Sequence, residues 1–357
     1  MSKVLFILGA GASKQGGAPL MDDFLDVARN LLEKGELGEA TEDFKRVIRG
    51  HAALQSVHSK SQLGIHNVEE VFSAFEMGRT LGRFPRHEPK EIESLCRSMK
   101  VVISRTIERT MRFRVLGDSV YAPDPYVHFA ELIKHLREDL RPPLDVSIIT
   151  FNYDVAADFA LHSNRMMVDY GLSEEPNMSA VPLLKLHGSL NWGWCPECKQ
   201  VFAWDLGSYF SRFKWQLDRR PEYVTLDIAS HIGSFQHMDG HPAEPEPVIV
   251  PPTWNKRDLN RALFNVWRRA AAELADARDV FVIGYSLPPS DLFFRYLYSL
   301  GTVSETIIRR FWVFDPDRSG SVDGRFKALL GHATANRYKY WPQRFEQAMG
   351  PIQTPLV

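Results

Sequence analysis

The sequence has few cysteines: Cys96, Cys195 and Cys198 are the three in 357 residues. Three cysteines cannot form a disulfide framework, which excludes a small disulfide-stabilised secreted domain and favours a reducing compartment. Long apolar runs are lacking as well, because none approaches the roughly 20 residues that cross a bilayer. The apolar stretch at 4–8 is too short for the core of a signal peptide. We therefore expect a cytoplasmic protein without membrane contact.

The chain also lacks an excess of charge of either sign, since 43 Lys and Arg residues oppose 44 Asp and Glu residues. A balanced composition gives no electrostatic reason to expect direct binding of nucleic acid. One basic segment has helical spacing and contains Arg105, Arg109, Arg112 and Arg114. A solvated helix face is the first interpretation of this segment, a protein interface the second and DNA binding the third.

What the chain does contain is an ordinary globular composition, with 44% hydrophobic and 24% charged residues. Apolar runs bounded by glycine or proline predict strands, and helical periodicity separates most of them. The predicted strands are 3–8, 145–150, 182–186, 247–250, 280–283 and 310–314. Helices are predicted at about 258–277 and after residue 289, with about four or five more within 20–140.

Alternating strands and helices predict the α/β class, with a Rossmann-like doubly wound parallel sheet, a helical insertion and a small irregular module. We expect the sheet domain to comprise 1–20, 141–190 and 247–345. The helical module is expected at 21–140, and the small module at 191–246.

The first candidate site is the loop after the first predicted strand, which reads Gly9, Ala10, Gly11, Ala12, Ser13. Glycines in such a turn let the backbone approach a phosphate, which the amides of the following helix N-terminus can bind. Lys14 stands where the pattern G-x-G-x-x-G has its third glycine, and no acidic residue ends a second strand at the usual spacing. Nucleotide binding and a plain strand-to-helix turn are both open interpretations.

Polar residues follow the next two predicted strands. Asn152 and Asp154 come after 145–150, at the end of the strand where open α/β sheets bind ligands. Asn152 can hold a ribose hydroxyl or a water through its donor and its acceptor, whereas Asp154 is also a natural cap for the next helix. His187 follows 182–186 and suits a general base, although a lone histidine is more often structural or solvated.

Two later turns complete the set of strand ends. Gly284 and Ser286 follow the strand 280–283, and Asp315 follows 310–314. Asp315 suits the hydroxyls of an adenosine ribose. Either turn also suits an ordinary connection in a parallel sheet.

The order of these motifs, more than any one of them, resembles the sirtuin family. Sirtuins bind NAD in a Rossmann-like domain and break its bond to nicotinamide. The resemblance implies that NAD is a substrate, that 9–13 hold its phosphates, and that Asn152 and His187 flank the nicotinamide ribose. It further assigns three residues to the adenosine half, namely Gly284, Ser286 and Asp315.

The chain departs from sirtuin deacylases directly after the glycine loop. Residues 17–21 read Gly-Ala-Pro-Leu-Met and lack the Asp, Phe and Arg of the deacylase segment Gly-x-Pro-Asp-Phe-Arg. Phe151 also replaces the glutamine of the family. With Pro-Pro-Thr-Trp at 251–254, the pattern is more similar to bacterial sirtuin-like NAD hydrolases of anti-phage defence. That resemblance implies a partner such as a HerA-type ATPase or a short Argonaute.

We therefore expect a regulated NAD hydrolase that releases nicotinamide and ADP-ribose and forms a homo-oligomer. Asn152 is expected to orient the attacking water or the ribose hydroxyls, His187 to act as the base, and Asp154 to orient their surroundings. Two alternatives remain open. One is an NAD-dependent protein deacylase, and the other is a silent sensor of NAD or ADP-ribose that scaffolds a partner.

A metal site is suggested by Cys195 and Cys198, which form a C-x-x-C pair where sirtuins begin a four-cysteine zinc module. Structural zinc takes four protein ligands, and the chain has no second cysteine pair. His231, His237 and His241 are the other ligands considered, at long spacing from the pair. A decayed site held by tryptophan packing is the preferred interpretation, so zinc is considered but not expected.

Overall fold

The structure is a computed structural model that describes residues 3–55, 65–117, 119–212, 222–235, 240–250, 259–289, 291–354 and 356. Its strands are β1 (Lys3–Leu8), β2 (Phe113–Leu116), β3 (Ser119–Tyr121), β4 (Asp145–Thr150), β5 (Val168–Asp169), β6 (Val181–Lys185), β7 (Trp192–Cys195), β8 (Gln200–Ala203), β9 (Tyr223–Val224), β10 (Asp279–Ile283), β11 (Arg310–Phe314) and β12 (Tyr338–Trp341). Its α-helices are α1 (Ala10–Ser13), α2 (Phe24–Lys34), α3 (Thr41–Gln55), α4 (Val68–Leu81), α5 (Pro89–Thr110), α6 (Asp124–Lys134), α7 (Ala156–Ser163), α8 (Leu206–Arg212), α9 (Leu259–Asp276), α10 (Leu292–Gly301), α11 (Ser321–Leu329), α12 (His332–Ala335) and α13 (Phe345–Gln353).

The main sheet is parallel, and its seven strands lie in the order β12, β11, β10, β1, β4, β6, β5. β1 is the central strand and pairs with β4 on one side and β10 on the other. Leu8 of β1 lies opposite Thr150 of β4 and Ile283 of β10. The chain leaves β1 toward β4 and later returns to β10 on the other side. This reversal creates a crevice at the carboxyl ends of the three strands, as in other doubly wound sheets. The predicted Rossmann-like α/β class is confirmed.

Both faces of β1 are buried because its side chains alternate between two cores. Phe6 belongs to the core that includes Phe129 of α6, and the two rings meet edge to face at 4.9 Å. Leu5 and Ile7 point into the second core, with α9 and α10. A strand covered on both faces must be apolar throughout, which explains the uninterrupted run in the sequence.

Most of the predicted elements are confirmed, with shifts of one or two residues at their ends. The strand predicted at 247–250 is wrong: only Ile249 forms an isolated bridge, to Gly188. The edge strands β5 and β12 were not predicted. Neither was the hairpin of β7 and β8, so the region 191–246 is less irregular than expected. The domain boundaries stay a prediction.

In the described part of 21–140 there are five α-helices, α2 to α6, where about four or five were expected, and also the hairpin of β2 and β3. β9 from the region 191–246 adds to this hairpin, with Tyr223 opposite Arg114. The expected basic helix is therefore interrupted, because α5 ends at Thr110 and Arg114 lies in β2. Three of its arginines pair with acids: Arg105 with Glu108, Arg109 with Asp227, and Arg114 with Asp124.

Within the described ranges, no helix is both long and apolar enough to cross a membrane.

Glu108 connects α5 to the segment 229–234 through a buried carboxyl. The Ser230 amide donates to its Oε1 at 3.1 Å and the Ser230 hydroxyl to its Oε2 at 2.6 Å. Burial raises the pKa of Glu108 to about 7, although the Ser230 hydrogen bonds and Arg105 oppose this rise. The folded state therefore holds a proton that an unfolded glutamate releases at lower pH.

This raised pKa predicts a stability that falls as the pH rises. The contribution of Glu108 is fully present below about pH 4.5 and is lost as the pH approaches about 7, on the order of 3 kcal/mol in total. Urea unfolding between these pH values checks it. Glu108→Gln should remove this part of the pH dependence of the free energy of unfolding. At about pH 8 the variant should be more stable than the wild type. An unchanged slope in the variant would contradict the assignment.

Candidate active site

A cavity of about 1050 Å³ opens at the carboxyl edge of the main sheet. Residues after five of its parallel strands line it: Gly11 after β1, Asn152 after β4, His187 after β6, Ser286 after β10 and Asp315 after β11. Because the carboxyl ends of parallel strands share one edge, motifs that are far apart in the sequence meet here. The volume is at the upper end of the range for small-molecule sites.

The glycine loop packs directly against the turn after β10. The Gly11 amide donates to the Gly284 carbonyl at 2.8 Å, and a Cβ atom at Gly284 would lie 2.3 Å from the Ala12 nitrogen. Gly284 also has a φ of +61°, which side-chain-bearing residues rarely adopt. Close packing is therefore by itself a sufficient reason for glycine at position 284. Of the five loop residues, Ala10 and Gly11 line the cavity, whereas Gly9, Ala12 and Ser13 lie behind it.

Asn152 is held by its amide nitrogen. Nδ2 donates to the Gly9 carbonyl at 2.9 Å and to the Ser13 hydroxyl at 3.0 Å, and the Tyr126 hydroxyl lies 3.4 Å away. Because three acceptors surround Nδ2, the side-chain orientation is fixed. Oδ1 is then the atom of Asn152 that is free to accept a hydrogen bond from a ligand hydroxyl or a water.

Asp154 does not line the cavity and acts on Asn152 only indirectly. Its Oδ2 accepts from the Ser13 hydroxyl at 2.6 Å, and its Oδ1 accepts from the Ala156 amide at 3.0 Å. The N-cap residue of α7 is Val155, and Asp154, one position earlier, binds the first amide of the helix. Burial raises the pKa of Asp154, while Lys185, Ser13 and the Ala156 amide act to lower it. Asp154 fixes Ser13, and Ser13 in turn fixes Asn152.

His187 is the most unusual group at the site. Its side chain is 1% exposed, and among the described residues neither Nδ1 nor Nε2 has a hydrogen-bond partner. The Phe151 ring meets the imidazole edge to face at 5.4 Å, so the aromatic wall holds the ring without satisfying its nitrogens. Buried polar groups are nearly always hydrogen-bonded, and an exception calls for a functional explanation. The imidazole lines the cavity, where a ligand can supply the missing partner.

One acidic residue of the site was not predicted. Glu69 in the first turn of α4 lines the cavity, and its Oε1 lies 3.6 Å from His187 Nδ1. Nothing in the sequence marks it, because it lies 118 positions before His187, in a helix with ordinary amphipathic spacing. Only the packing of the helical insertion over the sheet edge brings it here.

The far end of the cavity contains Asp315 and Asp317, with Arg325 near Asp315. Burial raises the pKa of Asp315, whose Oδ1 accepts from the Asp317 amide at 2.9 Å. Hydrogen bonds from Ser319 and the Val322 amide hold the pKa of Asp317 at about 2, so this carboxylate is charged at neutral pH. Both aspartates line the cavity, together with Ser286. This end offers hydrogen-bond acceptors to the hydroxyls of a sugar.

The two cysteines of the C-x-x-C pair meet a third ligand in the fold. Cys195, Cys198 and His241 each place a ligand atom within 4.8 Å of the others, and His241 Nδ1 lies 3.1 Å from Cys198 Sγ. Glu197 Oε2 lies 3.2 Å from the opposite ring nitrogen of His241. Two thiolates and an imidazole oriented by a carboxylate suit zinc. His231 is not part of this cluster, and His237 lies outside the described residues.

The meeting of these three donors changes the expectation from the sequence, which favoured a decayed site, and we now predict that the cluster binds zinc. We expect the purified chain to take up about one Zn²⁺ per protomer, and Co²⁺ in its place to give a thiolate charge-transfer absorption. Cys198→Ser and His241→Ala should each weaken binding by about 10-fold or more. His231→Ala is the matched control and should bind as the wild type does. Equal metal content in all four proteins would contradict the site.

No protein-family model matches the chain, and no curated protein matches it. Among solved structures, it is similar to a Sir2 homologue with a single substitution in complex with ADP-ribose, at 13% identity and a TM-score of 0.41, over 99% of this chain and 91% of that one. A complex of Sir2 with a p53 peptide and NAD⁺ has 11% identity and a TM-score of 0.41, over 99% and 92%. A structure described for the mechanism and regulation of Sir2 enzymes has 14% identity and a TM-score of 0.42, over 99% and 92%. Similarity at this level carries no information about what the present chain binds or catalyses.

Proposed function

We propose that this chain binds NAD in the cavity at the sheet edge and hydrolyses it to nicotinamide and ADP-ribose. The observation that carries the proposal is the pair formed by His187 and Asn152. A buried imidazole, whose two nitrogens have no hydrogen-bond partner in the described part of the chain, lines the same cavity as an amide whose orientation is fixed by Gly9 and Ser13. Such a pair can bind a sugar hydroxyl and position a water molecule.

The reaction breaks the bond between ribose C1′ and the nicotinamide nitrogen. Its electron pair goes to nicotinamide, which leaves as a neutral molecule, while the ribose develops oxocarbenium character. A water oxygen then bonds to C1′, and the proton it loses passes to a base. His187 is the base in this proposal, and Asn152 Oδ1 accepts from that water or from a ribose hydroxyl. The aromatic wall around His187 excludes bulk water.

In this proposal, the two aspartates at the far end of the cavity bind the adenosine ribose of NAD and disfavour NADP. Asp315 and Asp317 can accept from ribose hydroxyls, whereas the 2′-phosphate of NADP would bring like charges together. We expect kcat/KM for NAD to exceed that for NADP by about tenfold or more. Steady-state kinetics with both dinucleotides measure this ratio. Asp317→Asn should reduce the ratio, because it removes one negative charge near the 2′-phosphate. Equal kcat/KM values for NAD and NADP in the wild type would contradict the placement of the adenosine ribose at Asp315 and Asp317.

The proposal is tested by incubating the purified chain with NAD and following nicotinamide and ADP-ribose by chromatography, with and without an acetylated peptide. Release of both products from NAD alone supports hydrolysis. Release only with the peptide, together with peptide deacetylation, would show a deacylase instead. Tight ADP-ribose binding without turnover in either mixture would show a sensor.

The cellular role is a separate proposal that rests on the sequence resemblance. It comprises anti-phage defence, a homo-oligomer and a partner such as a HerA-type ATPase. Light scattering after size-exclusion chromatography tests the oligomer. Depletion of cellular NAD on infection, in cells that express the wild-type chain but not a His187→Ala variant, tests the defence role.

A further inference from the structure

Glu69 is buried beside the proposed base although it belongs to the helical insertion. The residue is 9% exposed, and its Oε1 lies 3.6 Å from Nδ1 of His187. Within the described residues, this carboxylate is the one charged group found within ion-pair distance of the imidazole. The other close neighbours of the ring are aromatic, with Phe151 at 5.4 Å and Tyr153 at 6.1 Å between ring centroids.

The start of α4 fixes the position of this carboxylate. The Asn67 side chain caps the helix and accepts from the Glu69 amide at 2.9 Å, and the Val68 amide donates to the Met21 carbonyl at 3.0 Å. Val68 and Val71 are buried in the core next to it. Because Glu69 lies on a capped and packed helix, its carboxylate reaches His187 from a rigid element.

We infer that Glu69 is the positioning residue for His187, an inference that rests on the proposed function. A carboxylate next to Nδ1 favours the tautomer that carries its proton on Nδ1. That tautomer leaves Nε2 unprotonated and able to accept a proton from water or a ribose hydroxyl. The negative charge then stabilises the imidazolium that forms. The separation of 3.6 Å is longer than a hydrogen bond, and contacts of this kind tighten when substrate fills a site.

A consequence is that the helical insertion is part of the catalytic unit. The sheet domain supplies His187 and Asn152, but the orienting carboxylate comes from α4. A movement of α4 would change the tautomer of His187 without any change at the sheet edge.

The test compares Glu69→Ala with Glu93→Ala, because Glu93 is an exposed acidic residue of the same helical insertion that does not line the cavity. We expect Glu69→Ala to lower kcat by about 10- to 100-fold, with the ADP-ribose dissociation constant within about twofold of wild type. Glu93→Ala should keep kcat within about twofold. Glu69→Gln retains an acceptor but not the charge, so its kcat should fall between those of the wild type and Glu69→Ala.

A second measurement does not depend on turnover. ¹⁵N shifts of His187, assigned by comparison with His187→Ala, report which nitrogen carries the proton. We expect the Nδ1–H tautomer in wild type and Glu69→Gln, and its loss in Glu69→Ala. An unchanged tautomer in Glu69→Ala, or an unchanged kcat, would overturn the role of Glu69. If the wild type releases no nicotinamide, the proposed function fails, while the tautomer measurement still decides whether Glu69 orients the ring.

Discussion

Replacing His187 with alanine is expected to lower kcat for nicotinamide release by about 10²- to 10⁴-fold. The reason is that the variant removes the base, while the cavity keeps the contacts that hold the dinucleotide. Isothermal titration with ADP-ribose should therefore give a dissociation constant within about threefold of the wild-type value, because the other contacts to the ligand remain.

The matched control is His66→Ala. His66 lines the same cavity but, unlike His187, is exposed to solvent. This variant should keep kcat within about twofold. If the two histidine variants lost activity equally, His187 would have no special role. If His187→Ala kept full activity, the assignment of the base would be wrong.

The second large effect is expected at Lys185, whose replacement by methionine should lower the free energy of unfolding by about 3–5 kcal/mol. Its ammonium group is 1% exposed and lies 3.0 Å from Asp158 Oδ2, and it also donates to the Asp154 carbonyl at 2.5 Å. Without the lysine, the buried Asp158 carboxylate keeps only the Tyr170 hydroxyl as a described side-chain donor. Urea denaturation measures the difference.

A double variant separates the loss of the ion pair from a loss of packing. Lys185→Met combined with Asp158→Asn removes both charges and keeps an acceptor for Tyr170, so it should recover more than half of the lost stability. The exposed pair of Lys327 and Asp323 provides the surface control, since Lys327→Met should cost less than about 1 kcal/mol. Equal losses from Lys185→Met and Lys327→Met would contradict the role of burial.

The sequence was sufficient to predict the strands that are buried on both faces, because such strands must be apolar along their whole length. β1 and β10 are of this kind after their first residues, Lys3 and Asp279, whereas β4 also contains Ser147 and Thr150. Short or edge strands such as β5, β9 and β12 could not be predicted, since they are only partly buried and leave no run of apolar residues. The apolar residues at 247–250 are buried without forming a strand. The apolar run in the sequence therefore indicated burial correctly but not the secondary structure.

The candidate site was predictable where its residues follow predicted strands. Asn152, His187 and Asp315 were found this way, because the chain topology brings those positions to one edge. Glu69 and His241 could not be found, since each reaches its partner from a distant segment with no pattern of its own. Asp154 was expected near the chemistry, but the structure gives it a supporting position behind Ser13.

The central claim, that the cavity at the sheet edge binds the dinucleotide, is tested most directly by hydrogen–deuterium exchange with ADP-ribose as the probe. The account predicts slower amide exchange, on saturation, in the segments 9–15, 151–154, 187–190, 284–287 and 315–319, which contain the strand-end residues that line the cavity. Exchange that is unchanged there, or slowed only in other parts of the chain, would contradict it.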